Sequence, residues 1–318
     1  MKLKDILGQE RSLRRITALL KGRRIPPALL FHGPQGVGKT SAAFAFAQSL
    51  NCTKNTTEAC GACPSCVSAD KGIDPDLHRV NAAYQAGLLG EEEAKQKTIK
   101  IDTVRHLIGD IEMRSGQGRY KTILLENAHR LAPAAANAML KSLEEPPPYT
   151  VWILITHRPN ELLGTIRSRC QDVPFSALTP DILFSILKDR GVAEDRAKNT
   201  ARLAEGSLTR AAALQDDPLP DPSAWLKDPL GPITLSESLP RELHLARQCA
   251  GDHLRQMSWY IRSTHGVEGY RSPAVRTVQR ELADMHRALS ANADSRLVVL
   301  LSAVRLQQLD AALTPAKA

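Results

Sequence analysis

Eight consecutive residues, Gly33-Pro34-Gln35-Gly36-Val37-Gly38-Lys39-Thr40, set two glycines five positions apart, directly ahead of a Lys and a Thr. Glycines at this spacing let the backbone fold into a concave nest without Cβ clashes. The nest's N–H groups and the helix start behind it then face a polyphosphate. Lys39 has the reach for β- and γ-phosphates, and the Thr40 hydroxyl can ligate Mg²⁺. A second constellation follows at Cys52, Cys60, Cys63 and Cys66, with Gly61 and Pro64 to turn the chain between them. Four thiols at these spacings suit a tetrahedral structural Zn²⁺, and four protein thiolates leave no open position for catalysis. Redox chemistry would not account for four thiols, and a disulfide framework does not suit an intracellular chain. Cys170 and Cys249 stand alone and read as small core residues.

These groups need elements to position them. Ala28-Leu29-Leu30-Phe31 is an apolar run ahead of the glycines, and Ser41–Ala47 has the small residues of a helix behind them. Before them, Ile6-Leu7-Gly8-Gln9-Glu10 opens a helix-like segment. Leu77-His78-Arg79-Val80 reads as a short strand, and residues 90–98 as an exposed loop. Asp102 reads as the cap of a helix with an apolar face of Val104, Leu107, Ile108 and Ile111. Arg105 and Arg114 leave that face. Thr122-Ile123-Leu124-Leu125 is a buried strand ending at Glu126-Asn127, where a carboxylate beside a phosphate loop would orient Mg²⁺. Val151–Thr156 is another buried strand with a polar end, and Asp172–Phe175 a last one. Strands alternating with helices predict an α/β fold with a doubly wound parallel sheet. Lys39, Glu126 and Thr156 then share the ligand-binding edge of that sheet.

From Thr179 the pattern is helical: two short helices over about 180–213, a Pro-dense linker over 216–232, then an all-helical region. There Leu243, Ala246, Ala250, Leu254 and Met257 form one stripe, and Val275, Val278, Leu282, Met285 and Leu289 another. The net charge of +8 favours an anionic partner such as nucleic acid. The start of the chain carries no apolar leader and no run approaches a membrane span, so a cytoplasmic protein is expected.

Together these motifs resemble the clamp-loader branch of the AAA+ ATPases, the subunits of the bacterial DNA polymerase III clamp loader. The resemblance rests on the cysteine cluster just after the phosphate-loop helix and on Ala136-Asn137-Ala138-Met139-Leu140-Lys141-Ser142-Leu143-Glu144-Glu145-Pro146-Pro147. Ser168-Arg169-Cys170 and Gly206-Ser207 with Arg210 also carry it. It implies an AAA+ nucleotide-binding domain with a zinc-binding insertion (1–177), a helical lid (178–215) and a helical collar (216–318). It assigns ATP/Mg²⁺ to residues 33–40 and to Arg210, and Mg²⁺ to Glu126. It makes Thr156 a sensor of the nucleotide and Arg169 a finger acting on the neighbouring subunit. The partners implied are the other subunits of a five-subunit ring, the sliding clamp and primed DNA. Active ATPases of the family carry Asp-Glu where this chain has Glu126-Asn127, and a neutral Asn cannot polarise the attacking water. The alternatives are an active tau/gamma-type ATPase, which the length of 318 residues disfavours, and a zinc-bearing nucleic-acid-binding module with a vestigial phosphate loop.

Overall fold

Strict alternation along the first strand decides how the N-terminal part of the chain is layered. In the computed structural model, which describes residues 2–22, 24–54, 57–112, 120–216, 219–269 and 272–313, with side chains described for all of these but 265–269, β1 spans Ala28–His32. Its Leu29 and Phe31 enter one hydrophobic core while Ala28 and Leu30 enter the other. Such a strand is buried on both faces, as a parallel sheet requires. The remaining strands are β2 (Leu77–Val80), β3 (Lys121–Leu125), β4 (Thr150–Thr156) and β5 (Gln171–Pro174). All pairings among them are parallel, in the order β2-β3-β4-β1-β5.

Helices cover both faces. On one lie α1 (Glu10–Gly22) and α2 (Lys39–Leu50), whose Ile16, Ala42, Ala43 and Phe46 meet Leu124, Ile153 and Val173. The cysteine segment follows α2 and contains α3 (Pro64–Asp70). After β2 come α4 (Ala82–Leu89) and α5 (Ile101–Glu112), and α6 (Pro133–Glu144) follows β3. The faces of α5 and α6 meet Leu30, Ile123, Trp152 and Leu154 in the second core. Trp152 is fully buried, and its indole N–H donates to Ser142 Oγ at 3.1 Å. The short α7 (Gly164–Arg167) leads into β5.

Three helices, rather than the expected two, occupy residues 180–216: α8 (Pro180–Asp189), α9 (Glu194–Leu203) and α10 (Leu208–Asp216). Gly191, at φ +81°, turns the chain out of α8 and splits the stretch. The chain divides into two compact units, Met1–Val192 with Glu205–Thr209, and Ala193–Ala204 with Arg210–Ala318. In the second unit α11 (Pro222–Trp225), α12 (Gly231–Glu237), α13 (Leu243–Gly269), α14 (Pro273–Ser290) and α15 (Ser295–Leu313) enclose a core of Trp225, Leu226, Leu254, Met257, Val275 and Leu306.

Of the expected linker over 216–232, the described stretch from 222 on therefore belongs to this folded core. Two of its prolines start helices instead of breaking the chain: Pro222 opens α11 behind an Asp221 cap and Pro232 lies in the first turn of α12, and Trp225 and Leu226 are buried. Leu243 departs from its stripe; as the first residue of α13 it is exposed, while Ala246, Ala250, Leu254 and Met257 are buried. Asp102 lies inside the first turn of α5 and does not cap it, because the helix already starts at Ile101. Residues 93–95 of the expected loop form a 3-10 turn. No helix among the described residues is long and apolar enough to cross a membrane.

Candidate functional site

The phosphate loop joins β1 to α2 through three glycines with positive φ: Gly33 (+138°), Gly36 (+72°) and Gly38 (+94°). Packing adds to the need for glycine at two of them. A Cβ on Gly33 would strike the Phe175 carbonyl, and one on Gly36 would lie 2.8 Å from the Thr209 backbone nitrogen. The Leu208 N–H donates to the Gly36 carbonyl at 2.8 Å, so the Gly206-Ser207 turn lies against the loop. Val37 is buried, whereas Pro34 and Gln35 face solvent.

Lys39 opens α2 and is only 7% exposed. Its Nζ donates to the Gly33 carbonyl at 2.8 Å and to the Pro34 carbonyl. Burial pushes its pKa down to about 8. A lysine held this way is costly to keep charged and gains most from an anion placed in the nest. Thr40 follows in the first turn of α2.

One brace of the loop has no motif to announce it. Gln9, 3% exposed just ahead of α1, donates through Nε2 to the carbonyls of Val37 at 3.3 Å and Ser176 at 2.7 Å. Its Oε1 accepts from the Ser176 N–H at 3.0 Å. Nothing in the sequence links Gln9 to residues 37 and 176; the one available signal was a fully polar side chain directly before an amphipathic helix.

Two strand ends complete this edge of the sheet. Thr156 ends β4 opposite His32, the residue that leads into the loop. Its hydroxyl is buried, accepts from the Arg158 N–H at 3.0 Å and meets His129 Nδ1 at 3.0 Å. The His129 and His157 rings pack edge to face with centroids 4.5 Å apart. Burial, followed by the charge of His129, pushes His157 down to about 4. Glu126 follows β3, where its N–H donates to Val80 at 2.9 Å. Its carboxylate accepts from Arg79 Nε at 2.5 Å. Asn127 is exposed and adopts the left-handed conformation, at φ +52°.

The two candidate arginines stand apart from the loop. Arg169 follows α7, and its Nε donates to Glu144 Oε1 at 2.7 Å, with Nη2 on the same oxygen and Nη1 on the Thr165 carbonyl at 2.8 Å. This ion pair lies within one unit and is one-third to one-half exposed. Arg210 belongs to the second unit, where its Nη2 meets Asp252 Oδ1 at 2.6 Å, an oxygen that also takes Arg255 at 2.7 Å. Arg105 is exposed beside Asp102 at 4.0 Å, and Arg114 lies outside the described residues.

The four expected cysteines do converge. One sulfur from each of Cys52, Cys60, Cys63 and Cys66 lies within 4.8 Å of all the others, and Cys60 and Cys66 are 4.0 Å apart. Sulfurs around a tetrahedral zinc at ~2.3 Å sit about 3.8 Å from one another, so the cluster has the dimensions to hold a metal ion. Backbone N–H groups of Ala62 and Cys63 point at Cys60 Sγ from 3.5 and 3.3 Å and hold that thiol below its usual range. The N–H of Cys60 points at Cys52 Sγ from 3.4 Å. Gln48 of α2 ties the segment down through the Cys66 carbonyl at 3.0 Å and Asp70 at 2.9 Å. Cys170 is half-buried, its thiol pushed up to about 12 by burial, and Cys249 is half-buried as well.

Known proteins resemble this arrangement. Subunit tau of DNA polymerase III from Escherichia coli is 36% identical over 219 residues, which are 67% of this chain and 32% of that protein. Subunit delta' from Pseudomonas aeruginosa is 42% identical over 144 residues, 45% of this chain and 41% of that one. The chain thus spans about a third of the first relatives' length. A DNA polymerase III gamma subunit-related protein from Thermotoga maritima shares the fold, with a TM-score of 0.52 at 14% identity over 94% of this chain and 99% of that one. The α/β architecture is accordingly of the AAA+ kind. The family model described as DNA polymerase III, delta subunit, matches residues 8–179, which hold the phosphate loop, the cysteine cluster and the whole parallel sheet. On that match, the chain belongs to the clamp-loader family of DNA polymerase III subunits.

Proposed function

We propose that this chain is a delta-prime-like subunit of the clamp loader, one that holds a nucleotide with little turnover and acts on its neighbour's. The observation that carries this reading is the contrast along one sheet edge. The loop of residues 33–40 keeps the backbone shape and the buried Lys39 that a polyphosphate needs, while Asn127 stands where a catalytic carboxylate would be required. Residues Gly33 to Thr40 bind the phosphates, with Lys39 as the charge. Glu126 and Thr156 lie along the same edge for the metal and for sensing the γ-phosphate, and Arg210 reports from the lid motif. A nucleotide with Mg²⁺ would supply a polyphosphate charge, held by Lys39 and the N–H groups of the loop.

Arg169 is proposed as a finger in trans. Its exposed pair with Glu144 is of the kind that contributes little, ~0–1 kcal/mol, so a phosphate of higher charge can displace the carboxylate. Zinc is proposed as the metal of Cys52, Cys60, Cys63 and Cys66, where it would cross-link the insertion and do no chemistry. The domain division 1–177, 178–215 and 216–318 is proposed with the last part as collar. The ring of five subunits, the sliding clamp and primed DNA are its partners, in the cytoplasm.

The test is Arg169→Ala in a reconstituted loader. A finger lost in trans should lower clamp- and DNA-stimulated hydrolysis by ~10³-fold or more, with zinc content and assembly unchanged. If the variant instead melts earlier and the assembled ATPase is normal, Arg169 serves only its pair with Glu144. The similarity to tau favours a second reading, an autonomous ATPase. Turnover by the isolated chain at ~1 s⁻¹ or faster would establish it.

A further inference from the structure

The Glu126 carboxylate already has a cation. Arg79 is the third residue of β2, and the register sets it opposite Leu124, two residues before Glu126 on the adjacent strand. Its guanidinium reaches across to Glu126 Oε1 at 2.5 Å. The carboxylate is 17% exposed and the guanidinium 55% exposed, so the acid is sheltered while its partner approaches from solvent. A charge-assisted hydrogen bond of this length is among the stronger polar contacts a carboxylate makes.

We propose that Arg79 is a positioning residue that replaces the divalent metal as the counter-ion of Glu126, so that this chain takes up a nucleoside triphosphate with little requirement for Mg²⁺. The inference rests on the nucleotide-binding reading above and revises one part of it, the assignment of Glu126 to Mg²⁺. A metal that is to use Glu126 must either displace the guanidinium or sit beside it. Two like charges a few ångströms apart repel, and in a partly buried site that repulsion is weakly screened. The next residue gives no relief, because Asn127 is a neutral amide where a second carboxylate would offset the charge. The cation selected at this corner is thus fixed in the chain and cannot take part in hydrolysis as a metal does. The same substitution of guanidinium for metal leaves Lys39 and the loop N–H groups as the main neutralising partners of the phosphates.

The experiment measures binding of a fluorescent ATP analogue to the full chain, once with Mg²⁺ and once with EDTA. The wild type should change affinity by less than about threefold between the two conditions. Arg79→Gln frees the carboxylate, and its affinity should become about tenfold or more stronger with Mg²⁺ than with EDTA. Adding Glu126→Gln to Arg79→Gln should abolish that gain, and thermal melts of both variants and the wild type exclude a folding defect as the cause. A wild type that already needs Mg²⁺ by tenfold or more, with Arg79→Gln unchanged from it, overturns the inference and leaves the nucleotide site standing. No binding in either condition, with Lys39→Ala indistinguishable from wild type, overturns the nucleotide site and the inference together.

Discussion

The phosphate loop at the start of α2 and the cysteine cluster beyond its end are built in opposite senses. The helix between them is 12 residues, about 18 Å. At the loop, three glycines take positive φ and Lys39 donates to two carbonyls, so any anion it meets would come from outside. At the cluster the candidate ligands are the protein's own sulfurs, three of them buried, and the turns close around them. On the proposed reading, one site exchanges its ligand and the other keeps it. A single helix can serve both because its first turn faces the sheet edge and its last turns face the insertion through Gln48.

This contrast can be broken or sharpened experimentally. Cys63→Ser should have the largest effect. Loss of a thiolate from a metal-coupled fold should cost ~3 kcal/mol or more and lower the Tm by roughly 6–12 °C. Zinc measured in the purified chain should fall well below that of the wild type. Nucleotide affinity should stay within about threefold, as expected for separate sites; a larger loss would mean that α2 transmits the state of the cluster.

Lys39→Ala should do the reverse. Removing a charged donor to phosphate should weaken binding of an ATP analogue by ~10–100-fold, while zinc content and Tm hold steady. The pH dependence is next in size. Burial lowers Lys39 to about 8, and a bound polyphosphate would raise it again. Below pH 8 the lysine is charged in both states and affinity is flat. Above pH 8 binding must take up a proton, so affinity should fall by up to about tenfold per pH unit. Stability should move the other way, because between about 8 and the unfolded lysine value of about 10.4 the unfolded chain holds more protons. Affinity and Tm rising together across that window would contradict the burial of Lys39. Gln48→Ala should be smallest, removing two hydrogen bonds between α2 and the insertion for ~1–2 kcal/mol, seen as a small fall in Tm and easier removal of zinc by chelator.

What the sequence revealed and what it hid follow from how far apart the interacting residues lie. Gly33 to Thr40 act within one turn of chain, so their spacing already described the nest. Cys52 to Cys66 are similarly local, and their convergence was legible from the turns between them. The Arg79–Glu126 pair was not, because it exists only when β2 and β3 lie side by side in a particular register, 47 residues apart. Arg169 with Glu144 and Arg210 with Asp252 are of the same kind. Residues 216–232 misled for another reason: proline density marks helix starts as well as linkers, and only the burial of Trp225 separates the two.

Trp152 gives the molecule a built-in optical reporter. The chain has three tryptophans, and Trp225 and Trp259 both lie in the second unit, so Trp152 alone belongs to the first. Its indole sits in the middle of β4, sealed from water and hydrogen-bonded to Ser142. With Trp225 and Trp259 replaced by Phe, the emission of the remaining indole should be blue-shifted and should move red only when the parallel sheet opens. Set beside a far-ultraviolet dichroism melt, which follows the helices of both units, that colour change would tell whether the two units unfold in one step or two.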